Sequence, residues 1–425
     1  MGFSLYIHIP YCRHICPYCD FNVRAVKQVP EEPYLEGVIA ELQLYKEKEW
    51  HAGNTIETVY LGGGTPSLFS AKGLGKFLQS IDVLWPIASN AECTLEANPG
   101  TINLEILKSY RQSGWNRLSL GVQSFSDENL KFLGRDHTAK EGIEALEFAR
   151  KGGFENVSVD LIFGLRNQTL ENWLQDIEKA ISLQPNHIST YNLTIEERTI
   201  FYKQYQKGKF QLPEDDVQAE VLLQGRAWLQ EAGYETYEIS NAAKPGFRSR
   251  HNLNYWLGGD YLGIGAGAHS YSKECSVIAS PEGAKQSPDK SSTSGDRHAP
   301  AGAGARDDKM VDERSFSHRW WNIRNPGAYL QKIKEGALPL QEIEALTEAQ
   351  ALSEFLLTRL RLQEGFSLDD FESRFGSTQR ELLQDRIKPL SQQGFFNSLS
   401  NQIFLSPKGI PLLNELLVKL YDSGA

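Results

Sequence analysis

The sequence predicts an α/β protein, a partial (β/α)6 barrel followed by a smaller, winged-helix-like α+β unit. Three observations lead there. Six short apolar runs alternate with amphipathic stretches through the first half of the chain. Such regular alternation implies parallel strands joined by crossover helices. The last ~80 residues then change pattern, to helices followed by two short strands around a polar turn.

The six candidate strands are "LYIHI" (5–9), "TVYLGG" (58–63), "ECTLEA" (92–97), "RLSLGVQ" (117–123), "VSVDLIFG" (157–164) and "HISTYNLTI" (187–195). Between them lie helical patterns such as "PYLEGVIAELQLYKEKEW" (33–50) and "AKEGIEALEFARK" (139–151). About six repeats suit a curved, partly open barrel; a flat doubly wound sheet is the competing arrangement. We divide the chain into a barrel (1–240), a connecting region (241–346) and a C-terminal unit (347–425). Within the connecting region, residues 273–315 contain "SPEGAKQSPDKSSTSGDRHAPAGAGARDDK", which has no aromatic residue. A stretch of that composition buries too little surface to offset chain entropy, so a disordered insertion is expected. In the last unit, "LSEFLLTRLRLQEG" puts Leu352, Phe355, Leu356 and Leu360 on one helical face, with Gly365 as a stop. "GFFNSLSNQIFLSPKG" reads as the hairpin and "IPLLNELLVKLY" as a closing helix.

Composition narrows the function. The 425 residues are 40% hydrophobic and 23% charged, with a net charge of -10. An acidic chain has no broad electrostatic grip on nucleic acid. The C-terminal unit carries 8 Lys+Arg against 10 Asp+Glu, so a winged-helix shape there is expected to pack or cover rather than bind DNA. No run of ~18 apolar residues occurs, so no transmembrane span is expected. The N-terminus lacks the basic start and apolar core of a signal peptide, and a cytoplasmic protein is the expectation.

The chemistry gathers at "IHIPYCRHICPYCDFN" (7–22), where Cys12, Cys16 and Cys19 occupy a C-x3-C-x2-C spacing. Three thiolates on one loop form a ligand set with one ligand missing. Zinc would close the set with His8 or His14 as Cys3His. A 4Fe–4S cluster takes one thiolate per iron and would leave one iron open for a small molecule. Pro17 stiffens the loop, and the Tyr18 ring can shield a cluster from water. "VYLGGGTPS" (59–67) opens a strand into three glycines, which allow close backbone approach to a ligand. "TLEANP" (94–99) sets Glu96 at a strand end, where barrel sites collect. Gln123 ends the fourth strand, "LGRDH" supplies Arg135, and Asp160 sits within an apolar strand, where it is costly unless paired or functional. Taken singly, each of these also has an ordinary structural explanation.

The cysteine spacing, with an aromatic residue directly before its last cysteine, resembles the radical S-adenosylmethionine superfamily. Taken in order, the other motifs resemble its anaerobic coproporphyrinogen III oxidase family. That resemblance implies a 4Fe–4S cluster on the three cysteines and S-adenosylmethionine on the open iron. It puts Tyr6, Gly63, Gly64, Thr65, Glu96, Gln123, Arg135, Asp160 and Thr194 at adenosylmethionine-contacting positions. It also implies a low-potential electron donor such as flavodoxin or ferredoxin. Oxidase relatives carry a further cysteine two places after the third, where this chain has Phe21 in "CDFN". The hexapeptide in "RHNLNYW" resembles instead the H-N-x-x-Y-W mark of the haem-chaperone branch, which delivers haem to acceptor proteins. His251, Tyr255 and Trp256 are then the expected haem contacts: an imidazole for iron and flat aromatic surface for the porphyrin. "GDYLGIGAGAHSY" (259–271) adds glycines and His269. Two functions stay in play, haem delivery and the oxidase's radical decarboxylation of two propionates.

Overall fold

A computed structural model describes residues 2–273 and 316–421. The expected disordered insertion lies outside the described residues, apart from Lys273.

All six expected strands form: β1 (Phe3–Ile9), β2 (Ile56–Gly63), β3 (Ile87–Ala97), β4 (Arg117–Gln123), β5 (Asn156–Phe163) and β6 (His187–Asn192). They pair in parallel, each with the next in sequence. A doubly wound sheet would reverse direction among these strands; the six run in one direction in sequence order, as the strands of a barrel do. It is open. Instead of meeting β6, the free edge of β1 takes Tyr261–Ile264 as a parallel neighbour, and β6 pairs with Asn241–Ala243. Only β4 matches its expected limits at both ends, and the largest differences fall at two places. β3 starts five residues before its apolar run, and β6 ends at Asn192, leaving Thr194 on the following loop.

The strands carry two faces. Leu5, Ile7, Val59, Leu61, Leu95, Leu118, Leu120, Val159 and Ile188 are all wholly buried in one apolar cluster with the surrounding helices. The alternate positions are Tyr6, Tyr60, Glu96, Ser119, Asp160 and Ser189, so the interior face of the barrel is polar. Parallel strands buried on both faces are usually apolar throughout. A polar interior has to be satisfied by internal hydrogen bonds or by a ligand.

Beyond β1 the sheet continues with Tyr261–Ile264, His269–Ser272, Ser317–Asn322 and Leu340–Leu346, and Glu235–Thr236 pairs with Asn241–Ala243 at the far edge, making twelve strands. Glu41 on the helix Glu31–Glu47 fastens this extension. Its buried carboxylate accepts from Gly265 N (2.8 Å), Asn322 Nδ2 (2.6 Å) and Tyr329 OH (2.5 Å). Desolvation pushes its pKa up to about 7. Glu41→Ala would strand three buried donors, and unfolding in urea is expected to show a loss of at least about 2 kcal/mol. A loss within error would show that the contacts are dispensable.

The C-terminal unit has its own apolar core, centred on Phe355, Leu356, Phe371, Leu416 and Leu420. The expected hairpin forms as Phe396–Leu399 and Gln402–Leu405, joined by Phe366–Ser367 in a three-stranded sheet. The first helix stops at Arg359, well before Gly365. Gly365 instead permits a close backbone approach, since at φ 64° any Cβ there would run into the Ile403 carbonyl.

Candidate functional site

The cysteine loop leaves the C-terminal end of β1 and folds over the barrel mouth. Two backbone bonds seat it on the glycine turn after β2, Gly64 N to Ile9 O (2.7 Å) and Thr65 N to Tyr11 O (2.8 Å). Gly64 allows the approach, since a Cβ there would lie 2.5 Å from the Tyr11 carbonyl oxygen. Gly63 takes φ 105° against the His8 ring. A small apolar cluster holds the loop from the other side, with Phe201 N donating to Pro17 O (2.8 Å) and the Tyr18 ring facing Phe201.

Cys12, Cys16 and Cys19 edge a cavity of about 640 Å³. Of the residues expected at the adenosylmethionine site, Gly63, Gly64, Thr65, Glu96, Gln123, Arg135, Asp160 and Thr194 line it as well, and so does Tyr18. Tyr6 does not; its ring lines a neighbouring cavity, with its hydroxyl on His8 Nδ1 (2.9 Å). Glu96 accepts from Tyr60 OH (2.7 Å) and Gly63 N (3.1 Å). Desolvation, with nearby Asp160, pushes its pKa up to about 7. Asp160 is bonded by Ser119 Oγ (3.1 Å), and burial raises its pKa. Gln123 sits at φ 69°, a left-handed conformation that is uncommon for a side chain of its kind. Such strain at a strand end belongs with sites that aim a side chain.

The donor set favours a cluster over zinc. Of the two histidines that could close a Cys3His site, His8 has both ring nitrogens engaged and His14 has one. His14 Nε2 lies 2.8 Å from Gly134 O, while His8 is buried with its nitrogens on Tyr6 and Asn22. Among the described residues, no group of three or more His, Cys, Asp or Glu is placed to hold a single metal ion. The sulfurs instead have donors suited to anionic thiolate: Thr65 Oγ1 lies 3.4 Å from Cys12 Sγ and Arg135 Nη1 3.6 Å from Cys16 Sγ. Hydrogen bonds to the ligating sulfurs are one means of tuning an iron–sulfur cluster. Arg135 also donates to Asn98 Oδ1 and Gly121 O, both at 2.9 Å, while its buried Nε has no partner among the described residues. Cysteines on one edge and polar groups opposite fit a cluster with one open iron and a small polar ligand between.

A second cavity, of about 680 Å³, adjoins the first between the sheet extension and the helix Glu348–Arg359. The two share Asp20, Phe21, Gly63 and Glu96 as lining. Tyr255 and Trp256 line the second cavity; His251 stands behind them. It is 1% exposed and bonded through both ring nitrogens, to Thr58 Oγ1 (2.7 Å) and Tyr255 OH (2.8 Å). It also stacks on Tyr60 (4.9 Å). Burial pushes its pKa down to about 3.

Residue types alone did not single out Tyr60, Asn98 or Ser119, which position Glu96, Arg135 and Asp160. Their only signal is strand alternation, which puts Tyr60 and Ser119 on the interior face. The second cavity's arginines, Arg319, Arg324, Arg359 and Arg374, come from a strand, the loop after it and two helices, with no shared motif.

An open parallel barrel with three cysteines at its mouth defines a radical S-adenosylmethionine protein. A family model, Radical SAM superfamily, matches residues 6–180, and a second, HemN C-terminal domain, matches residues 346–412. Among solved structures, the chain resembles coproporphyrinogen III oxidase (HemN) from Escherichia coli, with a TM-score of 0.75 at 22% identity. That match covers 99% of this chain and 90% of the other, and it bears on the fold. The protein named Heme chaperone HemW from Haemophilus influenzae is 37% identical over 417 residues, 97% of this chain and 96% of its own length. The protein of that name from Bacillus subtilis is 33% identical, covering 97% of each. The chain belongs to the HemW family.

Proposed function

We propose that the protein is a haem chaperone that binds a 4Fe–4S cluster, S-adenosylmethionine and haem, and passes haem to acceptor proteins. The observation that carries this reading is the pair of adjoining cavities, one edged by three thiols and one walled by tyrosine and tryptophan, with Glu96 and Phe21 common to both. The near full-length likeness to proteins named as heme chaperones supports it.

Cys12, Cys16 and Cys19 would hold the cluster, with Thr65 and Arg135 bonded to its sulfurs. When bound and reduced by a donor such as flavodoxin or ferredoxin, the cluster supplies a low-potential electron to the sulfonium. Glu96 lies where a carboxylate can accept from ribose hydroxyls, and Gly63 and Gly64 leave their backbone open to the methionyl end. Gln123 and Asp160 face the same space, with Thr194 on the loop at its rim. Among the described residues no helix is long and apolar enough to cross a membrane, so delivery to a membrane-bound acceptor would be made from the surface.

The second reading is decarboxylation of coproporphyrinogen III. The fold shared with HemN favours it, and Phe21, in place of the oxidase family's additional cysteine, weighs against it. One anaerobic experiment separates the two. Reconstituted protein is expected to bind haem at about one per chain in an absorption titration. With reductant and S-adenosylmethionine it is expected to release no decarboxylated porphyrin from coproporphyrinogen III. Multiple turnovers of product would overturn the chaperone reading.

A further inference from the structure

Resting on the chaperone reading, we propose that haem seats in the second cavity, with His269 as its iron ligand and Arg324, Arg359 and Arg374 facing its two propionates. The size is suitable: about 680 Å³ falls within the range of small-ligand and cofactor sites. The walls suit a flat apolar ring, with Tyr255, Trp256 and Tyr261 on one side and Phe21, 70% exposed, at the boundary with the first cavity.

Chemistry selects the ligand. Two other histidines lie nearby, and neither has a free nitrogen. His8 is bonded to Tyr6 and Asn22, and His251 to Thr58 and Tyr255. His269 lines the cavity and is exposed, and among the described residues its ring nitrogens have no hydrogen-bond partner. Its ring lies nearly parallel to Trp321, at 5.5 Å and 19°, which orients the imidazole without occupying a nitrogen.

The charges point to an anionic ligand. In a chain of net charge -10, four arginines converge on this cavity. Arg319 is neutralised by Glu344 and Glu354. The other three have no carboxylate within ion-pair distance among the described residues. Arg359 donates to the Leu257 carbonyl (2.8 Å), Arg374 to Tyr271 OH (3.1 Å), and the Arg324 side chain is exposed. Guanidinium groups are the natural partners of carboxylates and pair with them bidentately. The lining carboxylates do not compete: Asp20 is paired with Arg198 (2.9 Å), Glu354 with Arg319, and Glu96 is held by Tyr60 and Gly63.

The test is haem titration of the full chain, reconstituted anaerobically, with the Soret band and the ferric electron paramagnetic resonance spectrum as readouts. His269→Ala is expected to raise the dissociation constant at least about tenfold and to change the ferric spin signature. Added imidazole should restore that signature, which loss of packing alone would not allow. Arg359→Ala combined with Arg374→Ala is expected to keep the iron signature but weaken binding. The same pair should abolish the wild-type preference for haem over its dimethyl ester. Unchanged iron content and circular dichroism would establish that the variants fold. If the wild type binds haem and His269→Ala matches it in affinity and spectrum, the seat is elsewhere and the chaperone reading stands. If the wild type takes up no haem, both fall.

Discussion

Gly64→Ala is expected to yield a chain that holds little or no iron after anaerobic reconstitution. The added Cβ would stand 2.5 Å from the Tyr11 carbonyl oxygen and 2.8 Å from that of Ile9. Both are backbone atoms, so no rotamer change can relieve the clash. They are also the acceptors that seat the cysteine loop, at 2.7 Å from Gly64 N and 2.8 Å from Thr65 N. Moving them lifts Cys12 away from Thr65 and spreads the three thiols. Overpacking of this kind typically costs about 1–3 kcal/mol, which a chain of this size can survive, so the loss should appear in iron and sulfide content before it appears in folding. Gly327→Ala is the control, because its Cβ would meet only Asn325 Oδ1 at 3.4 Å. Full iron loading in Gly64→Ala would show that the glycine turn does not set the loop.

Why the barrel could be read from the sequence, and its surroundings could not, follows from how each is encoded. The strands alternate apolar and polar residues because one face packs on helices and the other lines a cavity. Asp160 looked anomalous within "SVDLIF" only until its face was known, since Ser119 bonds it and it borders the first cavity. The glycine triplet was legible because Gly63 and Gly64 meet strict limits, a positive φ and a backbone contact. The sheet extension went unseen. Its strands Tyr261–Ile264 and His269–Ser272 are four residues each, and the next, Ser317–Asn322, follows only after a long interval in the chain. The second cavity is harder still, because its arginines converge only once the C-terminal unit has packed on the barrel.

His251 shows the limit most clearly. The hexapeptide "HNLNYW" marks a haem contact by resemblance, but a short motif does not say which face of its helix meets the ligand. The structure turns Tyr255 and Trp256 to the cavity and His251 inward, onto Thr58 and Tyr60. His251→Ala is therefore expected to act through the fold. It opens a void and leaves Tyr255 OH without its partner, while Thr58 Oγ1 keeps only its bond to Ser4 Oγ (2.8 Å), a loss of about 2–4 kcal/mol near pH 8. The pH dependence carries a signature. With a folded pKa of about 3 against 6.5 unfolded, the unfolded wild type binds a proton below pH 6.5 that the folded protein refuses. Wild-type stability from this group is complete above pH 6.5 and declines toward pH 3, by at most about 1.4 kcal/mol per unit. Alanine has no such decline, so the deficit of His251→Ala should shrink between pH 8 and pH 5.5 in urea unfolding. A deficit independent of pH would mean that His251 is not held neutral in the interior. Haem uptake should weaken as well, since Tyr255 loses its anchor (2.8 Å), yet the iron should keep its wild-type spin signature. A changed signature in His251→Ala, with His269→Ala unaffected, would move the iron ligand to the barrel interior and require that interior to open.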